Sequence, residues 1–314
     1  MDSTSSQPTP VSPGIQRLMS QSNRIRIGLF AFFVLFSVTW LGGWVFSLFV
    51  GLIFLMSFQE LNGIFRAKNI QPSQVIVLTT GILMLLAASF GRTHFFLPIL
   101  TLGILAGFIR LLFRHPRASI HDIGATFLAI FYVGFLPMHF ILLRNLGTPP
   151  GDISFNPIKD AGFGYMLLTF LVITSSDVGS YYAGKLFGKT LLYPEVSPKK
   201  TREGAFGGLL FGCFMGILFT QFQGLALPHA VILSLLVIIA AQLGDLFESL
   251  LKRDAGVKDS GKLLLGHGGL LDRMDSFIFS GVVSYYYIYW VILAQGMAQD
   301  IQPFLHSLNG LFNR

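Results

Sequence analysis

The sequence predicts an all-α, polytopic transmembrane helical protein of about nine spans, and three observations carry that expectation. The 314 residues are 53% hydrophobic and only 12% charged, where a soluble domain carries about 25% charge. Mean hydropathy is +0.65. Apolar runs close to the roughly 20 residues that cross a bilayer recur along the chain.

Residues 1–23 are rich in Ser, Pro and Gln without apolar periodicity and read as a disordered tail. They do not suit a cleaved signal peptide, because the first apolar run starts late, is too long and lacks a small-residue cleavage site. That run, residues 27–58, is uncharged and too long for one helix, so it divides at Gly42-Gly43. Further spans are expected at 75–90, 95–113, 122–143, 162–183, 205–222, 228–251 and 275–293. The organisation is then N-terminal membrane helices over 24–160, a catalytic unit of helices and loops over 161–296, and a C-terminal tail over 297–314.

Basic residues orient this map. With the N-terminus in the cytoplasm, all of the 22 Lys and Arg except Arg92, Arg144, Lys159 and Arg314 fall on the cytoplasmic side. Such asymmetry sets orientation and implies an integral protein of a bacterial-type inner membrane. The net charge of +7 reflects this topology and contact with anionic lipid or phosphate. No RNA- or DNA-binding pattern is present, so no nucleic-acid partner is expected. A lone cysteine, Cys213, excludes an intrachain disulfide. Nor is there an internal repeat of the transporter kind.

Polar residues concentrate at 249–275, between two long apolar runs, and in a basic loop at 185–202. Charge beside a bilayer is costly to place and marks chemistry. Asp245, Glu248, Ser249 and Lys252 are spaced i, i+3, i+4, i+7 and share one helix face. Asp272 and Asp275 do the same at the start of the last span, and Asp177 lies within the sixth. These acids could simply neutralise neighbouring Lys and Arg. Carboxylates on two helices beside a basic loop suit a divalent cation bridging to phosphate better, since Mg²⁺ commonly takes one or two carboxylates plus water and substrate phosphate.

The basic elements suit an anion. Ser197-Pro198-Lys199-Lys200 precedes a helix that Thr201 can cap, with Glu203 in its first turn, and free N–H groups at a helix start attract phosphate. Lys252, Arg253 and Lys258 form a second cluster. Gly266-His267-Gly268-Gly269 offers backbone able to wrap an oxyanion, with His267 a phosphate hydrogen-bond donor rather than a metal ligand. Ala183–Thr190 formally fits a relaxed phosphate-loop pattern, but that motif works between a strand and a helix, whereas here it ends a membrane helix. No Gly-x-Ser-x-Gly elbow, zinc-type histidine pair or Cys–His nucleophile pair occurs.

The 249–275 block resembles the signature of phosphatidate cytidylyltransferases, also called CDP-diacylglycerol synthases. The matching residues are Ser249, Lys252, Arg253, Lys258, Asp259, His267, Gly268, Gly269, Asp272, Arg273 and Asp275, preceded by Gly244-Asp245. Asp177 with Tyr181 and Gly184, and the run from Ser197 to Thr201, fit as well. The specific motifs cover about residues 165–293. Two positions depart from the pattern: Arg202 stands where Trp is usual, and Leu265 where Pro or Gly is usual, which should leave the following turn less rigid.

The resemblance implies attack of phosphatidic acid on the α-phosphate of CTP, giving CDP-diacylglycerol and pyrophosphate. It implies Mg²⁺ on Asp245 and Asp272, with Asp275 a third ligand or a close partner, and leaves room for a second cation. Ser197, Lys199, Lys200, Lys252 and Arg253 would hold the nucleotide, with Asp177 a polar anchor. Lys258, His267, Gly268, Gly269 and Arg273 would meet the lipid phosphate. The partners implied are CTP, phosphatidic acid and the lipid bilayer, with a homodimer left open. Two rivals are a CTP-dependent lipid kinase, with a similar metal and basic loop, and an ion-coupled transporter using Asp177 and Asp245.

Overall fold

The computed structural model describes residues 32–114, 117–147, 160–220, 225–261 and 268–293. Ten α-helices make up almost all of it: α1 (Phe32–Leu41), α2 (Gly43–Ala67), α3 (Gln74–Ser89), α4 (Phe96–Leu112), α5 (Ile120–Ala129), α6 (Met138–Arg144), α7 (Ala161–Phe187), α8 (Arg202–Thr220), α9 (Leu227–Asp254) and α10 (Leu271–Tyr287). A short 3₁₀ turn leads into α4, and π-helical turns join α5 towards α6 and extend α10 to Leu293. Seven of the resulting helices are long and apolar enough to cross a membrane, and the chain is an integral membrane protein. Two shorter apolar helices, α1 and α3, lie where the other two spans were expected. Leu97, Leu102 and Leu112 of α4 point outward, as on a helix whose solvent is lipid, while Phe54, Leu61, Met84, Met138 and Met166 fill the interior.

The break at Gly42 falls where the sequence placed it. Gly42 has φ 60° and ψ −155°, a region open in practice only to glycine. Buried Arg144 occupies the corner: its Nε donates to Thr39 O at 2.6 Å, its Nη2 to Trp40 O at 3.4 Å, and its Nη1 to Asp160 Oδ2 at 2.6 Å. The cation thus neutralises the carbonyl end of α1, while Asp160 also caps α7 by accepting from Phe163 N at 3.1 Å. A second bend, between α5 and α6, shows Leu136 N donating five residues back to Phe131 O at 2.9 Å. Pro137, which has no N–H to give, follows it.

Two expectations need correction. The second span was expected to stop at Phe58, yet α2 runs on to Ala67 and carries Glu60 and Asn62 as buried residues. Hydropathy ends a span at the first acid, but an acid with partners continues the helix. The all-α class also omits a two-stranded antiparallel hairpin, β1 (Leu191–Tyr193) with β2 (Ser197–Thr201), pairing Leu191 with Thr201 and Tyr193 with Ser197. Its strands are too short, and too rich in Lys and Pro, to show an alternating pattern.

Helix α8 lies against both α7 and α9. Gly204, Gly208, Gly212 and Gly216, one every four residues, form its buried stripe. A Cβ on Gly208 would come within 2.8 Å of Ser176 O on α7, and one on Gly212 within 2.7 Å of Ile238 Cδ1 on α9. Lipid gives helices no hydrophobic reason to associate, so such close backbone approach supplies the packing energy.

Candidate active site

The start of α8 is built as the sequence suggests. Thr201 Oγ1 accepts from Gly204 N at 3.1 Å, while Glu203 reaches back to Lys189 N at 3.1 Å and Thr190 N at 3.2 Å. The hairpin is thereby pinned to the helix end, and Arg253 Nε fixes it to α9 through Val196 O at 3.3 Å. These contacts bring β2 over a cavity of about 590 Å³ whose walls include Asp177, Ser197, Lys199, Lys200, Gln242 and Asp245. Its size falls in the ~300–1,000 Å³ range of small-molecule sites. Lys185 and Gly184 also line it, but they sit on the end of α7, so the phosphate-loop resemblance there has no strand-to-helix geometry behind it.

Beside this cavity α9 and α10 cross closely. A Cβ on Gly244 would collide with the backbone of Asp275. The crossing brings the two predicted acidic faces together. Lys200 forms an ion pair with Asp245. Lys252 pairs with Glu248 on its own helix and with Asp272 Oδ1 at 2.5 Å across the gap. Ser249 Oγ donates to Asp245 at 3.4 Å. Asp177 and Asp275 each lie within electrostatic reach of Asp245.

Asp272 has a second task. Its Oδ2 accepts from Gly269 N at 2.7 Å and Ser260 N at 3.0 Å, which closes the turn leading into α10. Gly268 holds that turn with φ 84°. Asp272 does not wall the 590 Å³ cavity, and neither do Lys258 or Arg273, both exposed. His267 lies outside the described residues.

Sequence reasoning missed Glu60. Its carboxylate, at the far end of α2, accepts from Leu270 N at 2.8 Å, Leu271 N at 2.7 Å and Ser260 Oγ at 3.1 Å. Helix α10 has no side-chain cap of its own, and Glu60 serves as one from 211 residues away. Gly269 is small for this reason, since a Cβ there would come within 2.8 Å of the Glu60 carboxyl carbon. The available signal was that Glu60 is the sole acid between Asp2 and Asp122.

The acidic residues bear on a divalent cation. Among the described residues no group of three or more His, Cys, Asp or Glu is gathered as a ready metal site. What exists is a set of carboxylates already facing ammonium groups, Asp245 with Lys200 and Asp272 with Lys252. That donor set fits a cation completed by substrate phosphate and water, not a cage made by protein alone. Asp272 bears three hydrogen bonds, and a carboxylate offers about four acceptor positions, so one remains for such a cation.

Comparison with known proteins identifies the family. The chain is 36% identical over 277 residues to the phosphatidate cytidylyltransferase of Synechocystis sp., covering 81% of this chain and 91% of that protein. It is 34% identical over 272 residues to phosphatidate cytidylyltransferase 5, chloroplastic, of Arabidopsis thaliana, covering 79% and 66% of the two. The phosphatidate cytidylyltransferase of Bacillus subtilis is 36% identical over 194 residues, 61% of this chain and 60% of the relative. The family model described as cytidylyltransferase matches residues 22–291, so both the apolar N-terminal half and the polar block fall within the match, and the chain belongs to the cytidylyltransferase family.

Proposed function

We propose that the paired carboxylate–lysine bridges at the α9–α10 crossing are the centre of a metal-assisted cytidylyl transfer. The chain is a nucleotidyltransferase that makes CDP-diacylglycerol and pyrophosphate from CTP and phosphatidic acid, as the names of its relatives support. A phosphate oxygen of the lipid attacks the α-phosphorus of CTP, the α–β phosphoanhydride bond breaks, and pyrophosphate leaves with the bonding pair. A phosphate monoester is already nucleophilic near neutral pH, so no serine–histidine machinery is required. The work of the protein is to hold two polyanions together and to offset charge on the leaving group.

Lys199 and Lys200 on the cavity wall, with Lys252 and Arg253 on α9 beside it, would receive the triphosphate. Asp177 sits on the same cavity wall as Lys200. Asp245, with Asp272 and Asp275 from the neighbouring helix, would hold Mg²⁺. When bound, the cation neutralises the triphosphate and the departing pyrophosphate. Ser249 and the Lys200 ammonium orient Asp245 meanwhile, and Lys252 keeps Asp272 turned towards α9. Gly268 and Gly269 present backbone beside Asp272, the reading under which His267, Arg273 and Lys258 meet the lipid phosphate.

The cytoplasmic location rests on the Lys and Arg distribution and on reading α1 and α3 as spans alongside the seven longer helices. It is supported by Lys68, at the end of α2, pairing with Asp254 at the end of α9 at 2.7 Å, which sets both helix ends at one face. The observation that carries the reaction is the ion pair of Lys200 with Asp245 on the wall of the cavity. The test is purified protein with CTP labelled in the cytosine ring, phosphatidic acid and Mg²⁺, with and without chelator. Chelator-sensitive transfer of label into lipid is expected. A lipid kinase would leave the label in soluble nucleotide.

A further inference from the structure

A second cavity, of about 1070 Å³, lies between the ends of α2, α3 and α4 and shares no lining residue with the site above. Three arginines line it, Arg66, Arg110 and Arg114, and no Asp or Glu does. Arg114 is held by Gln71, donating to its O at 2.5 Å, and lies 4.0 Å from Asp122 Oδ2, which meets part of its charge. Arg66 and Arg110 have no side-chain partner among the described residues.

Two buried polar groups on its wall are also unsatisfied. Asn62 and Ser73 are each 6% exposed, and Asn62 Oδ1 and Ser73 Oγ have no hydrogen-bond partner. Both atoms are closed off from the open space of the cavity, so it is the arginines, with no acid among the lining residues, that make the wall suit an anion.

Apart from Asn69, Gln71 and Gln74, the remaining lining is apolar. Val75, Ile109 and Phe113 are 50%, 51% and 74% exposed, and they continue into the outward leucines of α4. A ligand filling this space is anionic at one end and greasy at the other. We propose that the cavity binds the phosphodiester headgroup of an anionic membrane phospholipid, with its acyl chains lying along α4. Bidentate guanidinium contacts match phosphate geometry.

The cavity and the transfer site are neighbours across one helix. Glu60 and Asn62 stand two residues apart on α2, about 200° around its axis, one capping α10 and the other among the residues lining the second cavity. Lys68 and Asp254 put this cavity at the same end of the molecule as the α9 polar face.

The test is native mass spectrometry of the full-length protein with phosphatidylglycerol, with phosphatidylcholine of the same chains, and with inorganic phosphate as competitor. Phosphatidylglycerol lacks the phosphate monoester of the reaction substrate, so its retention does not depend on cytidylyl transfer. About tenfold preferential retention over phosphatidylcholine is expected, because both lipids offer a phosphodiester but the quaternary ammonium of choline is repelled by the arginines, whereas glycerol is neutral. Arg66→Gln with Arg110→Glu should abolish the preference. If the double variant does not fold, Arg110→Glu alone, at an exposed position, should reduce it. Equal retention of both lipids, or an unchanged preference in the folded variants, would overturn the site. Displacement by inorganic phosphate at concentrations matching the lipid would overturn the lipid assignment.

Discussion

Glu60 Oε2 accepts a hydrogen bond from Leu271 N at 2.7 Å, so the second helix of the N-terminal half caps the last helix of the catalytic half. Two backbone donors and one hydroxyl converge on a carboxylate that is 6% exposed. Hydrogen bonds to a charged acceptor contribute about 1.5–3 kcal/mol each. Glu60→Gln puts an amide NH₂ against backbone N–H groups. It should destabilise the protein by about 2–3 kcal/mol, read as a lower thermal midpoint in detergent. Turnover should fall with it, because the cap sets the turn that positions Asp272. A variant with an unchanged midpoint would show that the cap contributes nothing.

Lys252 is the single cation facing two acids, Glu248 and Asp272. Glu248 is fully buried, at 0% exposure. Removing one member of a buried pair costs about 3–5 kcal/mol because the other charge is left uncompensated. Lys252→Met should therefore be poorly stable. Adding Glu248→Gln should restore most of that stability without restoring activity, since Asp272 and the substrate phosphates still lack their ammonium. Recovery of activity in the double variant would assign Lys252 a purely structural role.

Much of this was legible in the sequence, for identifiable reasons. Apolar length marked where helices lie, and Gly42-Gly43 marked the first break because only glycine takes that backbone conformation. The i, i+3, i+4, i+7 spacing put Asp245, Glu248, Ser249 and Lys252 on one face, where Ser249 pairs with Asp245 and Lys252 with Glu248. The rest depended on contacts between distant segments. Glu60 has its meaning only through Leu270 and Leu271, and the hairpin only through Glu203 and Arg253. Likewise, spacing could bring Asp272 to the same helix face as Asp275 but could not reveal that its second oxygen closes the turn at Gly269.

The glycine stripe of α8 makes a prediction about assembly of the site. Gly208→Val would drive a branched side chain into Ser176 O, already 2.8 Å from a Cβ alone. Backbone cannot yield as a flexible side chain can, so α8 must move away from α7 and carry β2 with it. Overpacking costs about 1–3 kcal/mol. Activity should fall further than stability, because Lys200 would leave Asp245. Cysteines placed on α7 and β2 would report the separation through a reduced cross-linking yield.

Asp245 and Lys200 separate charge from packing most directly, because each side chain is 30% exposed and neither anchors the core. Asp245→Asn should leave the folding stability within about 0.5 kcal/mol of the parent, read as a nearly unchanged thermal midpoint. It should reduce kcat by about 10²–10³, the usual cost of losing one well-placed electrostatic group, and raise the Mg²⁺ concentration needed for half-maximal rate. Lys200→Met should act mainly on the KM for CTP, because its ammonium meets the triphosphate before the reaction as well as during it. Full turnover in Asp245→Asn at ordinary Mg²⁺ would remove Asp245 from the cation site. Asp272 and Asp275 would then be left to hold the cation, and loss of chelator sensitivity in the parent enzyme would be needed to remove them as well.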